Sequence, residues 1–120
     1  MLNSYVALDI ETTGLNPAKD SIIEVGAIRI ENGTVTDMLS TLVNPGYHIP
    51  DSITDITGID DDMVKDAPAI DSLIERIVGI TEGLPLLGHN IIFDYSFIKK
   101  AAADHSITYE RMGIDTCKFA

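Results

Sequence analysis

Asn32-Gly33 separates two runs rich in β-branched residues, Ile22 to Ile30 and Val35 to Val43, and few folds accommodate that arrangement. Both turn residues tolerate positive φ, which a tight hairpin between right-twisted strands requires. Asn44-Pro45-Gly46 then stops the return strand. Upstream, Tyr5-Val6-Ala7-Leu8-Asp9-Ile10 is a further apolar run of strand length, closed by Thr12-Thr13-Gly14. The first third therefore predicts a three-stranded antiparallel meander.

Tyr47 to Ala67 reads as loop with short helical pieces, containing Ile49-Pro50, Ile56-Thr57-Gly58-Ile59 and the acidic run Asp60-Asp61-Asp62. Pro68 suits the first turn of a helix, and Ile70, Leu73, Ile74, Ile77 and Val78 give it an apolar stripe at helical spacing. Glu82-Gly83 ends that helix, and Leu84 to Gly88 predicts a short buried strand with Pro85 near its start. His89-Asn90 opens a second helix, from about Ile91 to about Ala103, with Asn90 as a natural N-cap. Ile114-Asp115-Thr116 closes the series as a short strand or turn. The order βββ-α-β-α-β predicts one α/β domain over residues 1–120, built on a mixed sheet with flanking helices. Two good helices are few for covering both faces of such a sheet, and Ala120 falls where another helix would begin, so the domain is expected to be incomplete at its C-terminus.

Charge limits what this chain can bind unaided. It has 8 Lys and Arg against 19 Asp and Glu, a formal net charge of −11. Affinity for nucleic acid ordinarily comes from basic side chains that displace phosphate counterions. A polyanionic substrate would therefore have to be held by something else, and metal ions are the obvious candidate. The run Asp60-Asp61-Asp62 lacks the glycine and alternating ligands of a calcium loop and reads as a solvated turn. No apolar run approaches the ~20 residues of a membrane span, and no signal peptide precedes the first strand. With Cys117 alone, neither an intramolecular disulfide nor a cysteine zinc site is expected, and a reducing cytoplasm is the expected setting.

Asp9 and Glu11 are the residues that stand out. At spacing i, i+2 on a strand they share one face, while Val6, Leu8 and Ile10 fill the other. Two carboxylates at the end of an otherwise apolar strand are either a solvated rim or ligands of a cation that offsets their repulsion. The polar turn Thr12-Thr13-Gly14 beside them favours the cation. Asp94 falls in the first turn of the second long helix, where the helix dipole favours an acid whatever its role. Around it, Gly88 permits close approach, Asn90 can hydrogen-bond, and Phe93 is either core or a stacking surface for a base. Hard oxygen ligands of this kind suit Mg²⁺ or Mn²⁺, and a pair of such ions is a common device for displacement at phosphorus. Phosphate-loop, dinucleotide-binding and serine-hydrolase motifs are all absent.

The string Tyr5 to Leu15, YVALDIETTGL, resembles the first motif of the DEDD 3′–5′ exonucleases, and Gly88 to Asp94, GHNIIFD, resembles their second. Ile23-Glu24-Val25-Gly26-Ala27, Leu42-Val43-Asn44-Pro45 and Ile56-Thr57-Gly58-Ile59 are similar to the proofreading branch, which includes the epsilon subunit of bacterial DNA polymerase III. The resemblance implies an RNase H-like fold and hydrolysis of 3′-terminal phosphodiester bonds of DNA or RNA, with release of nucleoside 5′-monophosphates. It implies Asp9, Glu11 and Asp94 as ligands of two catalytic Mg²⁺ or Mn²⁺ ions. Thr12, Thr13 and Gly14 would line the terminal-nucleotide site, Asn90 and Phe93 would support or contact substrate, and Ile59 would pack near the terminal base. Single-stranded 3′ ends or short oligonucleotides are the implied substrates, with a DNA polymerase subunit as a candidate partner.

One departure matters. The family's third motif supplies a fourth aspartate and a histidine general base five residues before it, and nothing here matches that pattern. His48, His89 and His105 are expected to be structural or surface residues, and Asp104 and Asp115 are weak stand-ins for the missing acid. A general base contributes ~10²–10⁴-fold, so the chain as written is expected to be impaired. The other reading is an exonuclease-fold binding module without activity.

Overall fold

A computed structural model describes residues 2–116. Cys117 and any helix beginning beside it lie outside the described residues. Strands β1 (Tyr5–Thr12), β2 (Ile22–Glu31) and β3 (Thr34–Leu42) form the expected meander. Asn32 and Gly33 both adopt positive φ, 53° and 78°, as the hairpin demands. Helices α1 (Asp51–Thr57), α2 (Asp61–Val64) and α3 (Ile70–Ile80) follow, then β4 (Leu86–Gly88), α4 (Ile91–Asp104) and β5 (Gly113–Asp115). The strand order is β3-β2-β1-β4-β5, with β1–β2 and β2–β3 antiparallel and β1–β4 and β4–β5 parallel.

The alternation of β1 decides which face is buried. Val6, Leu8 and Ile10 meet Val25 and Ala27 from β2, and α3 and α4 close over them with Ile74, Ile77, Ile80, Ile91, Phe97 and Ile98. Each such aliphatic side chain contributes about 1.5–3 kcal/mol on burial. A smaller cluster, Ile23, Ile49, Ile59 and Val64, fastens the segment of α1 and α2 to the sheet. The opposite face carries Asp9 against Gly26 and Glu11 against Glu24, with Ile28 beside Met38 further along. Met38 is 61% exposed there, so α3 and α4 cover one face of the sheet and leave this part of the other open.

Two local expectations change. The acidic run is helix-forming: Asp60 is the N-cap of α2 and accepts from Met63 N–H at 2.9 Å, while Asp61 accepts from Ile49 N–H at 2.8 Å. Asn90 stands at the N-cap position of α4 but makes no side-chain cap; its backbone is left-handed (φ 53°, ψ 48°). Its N–H instead donates to Asp115 at 3.1 Å, so an acid from β5 fixes the corner that Asn90 itself does not.

Candidate active site

The site is built where β4 runs out. β4 pairs with β1 only through Val6↔Leu86 and Ala7↔Leu87. Beyond it the Ile10 N–H lacks a strand partner, and Asp94 Oδ2 of α4 accepts it at 2.9 Å. That one bond joins the second motif to the middle of Asp9-Ile10-Glu11, across 84 positions of sequence. Gly88 makes the approach feasible: a Cβ there would stand 2.6 Å from the Leu8 carbonyl oxygen and 3.0 Å from Ile91 Cδ1.

Electrostatics bind the three carboxylates into one unit. Asp94 is 4% exposed, and burial, aided by the negative charges of Asp9 and Glu11, pushes its carboxyl from 3.8 up to about 7. The Ile10 N–H opposes that rise without cancelling it. Glu11 is raised too, by burial first, then by Asp9 and by Glu24 directly opposite on β2. Glu24 is an acid of this surface that spacing within β1 does not reveal. Only the β1–β2 register brings it across from Glu11.

Among the described residues, no group of three or more His, Cys, Asp or Glu side chains is arranged to hold a metal ion as it stands. The donor set still fits a hard divalent cation. It consists of carboxylate oxygens only, they feel one another's charge, and the buried one is disfavoured as an anion until a positive charge joins it.

The supporting residues divide. Thr12 and Thr13 are buried, and their hydroxyls build the turn: Thr12 Oγ1 donates to the Gly14 carbonyl at 2.6 Å, while Thr13 Oγ1 accepts from Ser21 N–H at 2.9 Å and meets Tyr47 Oη at 2.7 Å. These bonds shape the turn that follows Asp9 and Glu11. Gly14 lies against the Asp20 carboxylate, where a Cβ would come within 2.4 Å. Ile59 is 3% exposed and belongs to the smaller core cluster. Asn90 is exposed, and Phe93 is half-buried with its ring centroid 4.9 Å from that of Phe97.

The histidines lie apart from the carboxylates or at the surface. His48 meets Asp61 at 2.5 Å and Asp51 at 3.4 Å; His105 meets Asp71 at 3.1 Å; His89 is exposed. Asp104 pairs with Lys100, and Asp115 takes the Asn90 N–H. A cavity of about 510 Å³ lies elsewhere, floored by Phe97 and rimmed by Asp71, Lys100 and His105, and includes none of the three carboxylates.

A five-stranded mixed sheet of this order, with flanking helices, is an RNase H-like fold. The family model described as "Exonuclease" (RNase T type) matches residues 6–119, and the chain belongs to that family, in its DEDD-type proofreading branch. Among curated relatives, the PolC-type DNA polymerase III of Caldanaerobacter subterraneus subsp. tengcongensis is 43% identical over 116 residues, 97% of this chain and 8% of that protein. The 3′-5′ exonuclease DinG of Bacillus subtilis is 38% identical over 96 residues, 79% of this chain and 10% of that protein. The chain thus spans about a tenth or less of the relatives it matches. Among solved structures, apo Exonuclease I superposes with a TM-score of 0.82 at 19% identity, covering 99% of this chain and 30% of that one. E. coli Exonuclease I in complex with a dT13 oligonucleotide gives 0.80 at 19% identity, covering 95% and 28%. Both show the same fold. Among the described residues, no helix is long and apolar enough to cross a membrane.

Proposed function

We propose that this chain is a divalent-metal-dependent 3′–5′ exonuclease domain, which removes nucleoside 5′-monophosphates from single-stranded DNA or RNA ends. The observation that carries this reading is the Ile10–Asp94 hydrogen bond, which joins both carboxylate motifs in one electrostatic unit. Asp9, Glu11 and Asp94 would hold two Mg²⁺ or Mn²⁺ ions. Bound there, the cations supply Lewis acidity at phosphorus and a lowered pKa for the attacking water.

The chain's own residues prepare the rest. The Ile10 N–H fixes the Asp94 carboxylate beside Asp9 and Glu11. Burial keeps Asp94 poised near neutrality, ready to exchange a proton for a cation. Asp9 is exposed on the open face and would be a ligand there. The hydroxyls of Thr12 and Thr13 lock the turn that holds Gly14 beside that face. Half-buried Phe93 supports the approach of the terminal nucleotide. The match to polymerase III chains supports delivery to DNA by a polymerase as part of the same reading.

The test is a 5′-labelled single-stranded oligonucleotide incubated with Mg²⁺ or Mn²⁺. Stepwise shortening from the 3′ end is expected, reduced at least about 10²-fold in Asp9→Asn and Asp94→Asn. No metal-dependent shortening removes the proposal.

A further inference from the structure

Among the described residues, the Lys and Arg side chains are nearly all committed internally. Arg29 pairs with Glu31 and donates to the carbonyls of Ile80 and Glu82, and Arg111 donates to those of Thr81 and Val78. Arg76 grips Asp37 through two bonds of 2.7 Å. Lys65, Lys99 and Lys100 pair with Asp62, Glu110 and Asp104. Among the described residues, Lys19 alone of the Lys and Arg side chains has no such partner.

Its position is the second observation. Lys19 is exposed on the loop that leaves β1 immediately after Asp9, Glu11 and Thr12. That loop is a rigid platform. Asn16 N–H donates to Asp20 Oδ2 at 2.9 Å, Ala18 N–H to Asn16 Oδ1 at 2.9 Å, and the Lys19 and Asp20 amides both donate to the Asn16 carbonyl, at 3.0 and 2.7 Å. The Asp20 carboxylate, which could have neutralised Lys19, is packed over Gly14 and spent on Asn16. Lys19 is thus an unpaired ammonium on an ordered loop that leaves the carboxylate end of β1 and packs through Asp20 on Gly14.

We infer that Lys19 is the phosphate contact of this site, holding one backbone phosphate of a short single-stranded 3′ end. The inference rests on the exonuclease reading.

The experiment is a salt titration of binding, with Ca²⁺ in place of Mg²⁺ so that no cleavage intervenes. Fluorescence anisotropy of a 5′-fluorescein oligothymidylate gives log Kd against log [NaCl] for the full chain, Lys19→Gln and the control Lys65→Gln. Each phosphate contact with a single strand contributes about 0.7 to that slope. Lys19→Gln is expected to weaken binding several-fold and to lower the slope by about 0.7, whereas Lys65→Gln keeps the wild-type slope. An unchanged slope in Lys19→Gln, an equal drop in Lys65→Gln, or no binding by the wild type overturns the inference. Metal-dependent cleavage of the same oligonucleotide decides the exonuclease reading separately, since it can succeed while the slopes coincide.

Discussion

Asp94 is an acid held almost out of water, and its titration makes the site's chemistry measurable without any substrate. An unfolded Asp releases its proton near 3.8, whereas the folded chain holds this one to about pH 7. Between those values the folded state binds more protons than the unfolded state, so stability falls as pH rises and the full penalty stands above pH 7. At about 1.4 kcal/mol per pH unit, less what water and local relaxation recover, the penalty is on the order of 2–4 kcal/mol. In EDTA, Asp94→Asn is therefore expected to be more stable than the wild type at pH 8, with the difference vanishing near pH 4. Urea unfolding across that range checks it, and equal stabilities at pH 8 would contradict the burial cause. Manganese reverses the order. It should raise the wild-type melting temperature at pH 8 and leave Asp94→Asn unmoved, because a cation rewards only the anion.

At the level of elements, the closest fit is between β4 and β1. A Cβ on Gly88 meets a backbone carbonyl, that of Leu8, at 2.6 Å, and a carbonyl in a sheet cannot step aside as a side chain can. Gly88→Ala should cost about 1–3 kcal/mol by chemical denaturation and weaken Mn²⁺ binding, since any shift of β4 carries Asp94 away from Ile10. A wild-type unfolding midpoint would show that the strands yield freely. The clasp between α1 and α2 gives a second expectation. His48 is raised above its usual 6.5, chiefly by its bond to Asp61. A raised folded pKa means the clasp contributes fully below about 6.5 and is lost as pH climbs through the folded value. NMR titration should find His48 above 6.5 in the wild type and lower in Asp61→Asn, where only Asp51 still raises it. Elements made by local chemistry were readable from sequence: the Asn32-Gly33 hairpin, the Ile74-Ile77 stripe of α3, and Pro85 before β4. What hid was settled by partners distant in sequence. Asn90 looked like a cap, but its left-handed backbone makes no side-chain cap and its N–H goes to Asp115, and Ile59, in a loop, joins Ile23 and Ile49 in a core cluster. Asp9, Glu11 and Asp94 were legible as carboxylates in telling strings, yet the bond from Ile10 that unites them depends on β4 stopping at Gly88.

Taken whole, the molecule balances many acids against few bases. With 19 acidic and 8 basic residues, and the described arginines and lysines other than Lys19 already partnered, the excess charge of −11 has no internal remedy. Two opposed salt effects follow. Screening weakens exposed pairs such as Arg76–Asp37 and Lys99–Glu110, each worth about 0–1 kcal/mol, and so destabilises. Screening also relaxes the repulsion among unpaired acids, including Asp9, Glu11 and Glu24 on the open sheet face, and so stabilises. The Debye length falls from about 30 Å at 0.01 M to about 8 Å at 0.15 M, a range that spans the spacing of surface charges in a domain of 14.1 Å radius of gyration. Long-range repulsion is lost first over that interval, while contact pairs persist. The melting temperature in EDTA at pH 8 is therefore expected to rise with NaCl across it. Mg²⁺ at equal ionic strength should raise it further in the wild type, and that surplus should shrink in Asp9→Asn. A melting temperature that falls with NaCl would mean that the paired charges, rather than the unpaired acids, govern the fold's electrostatics.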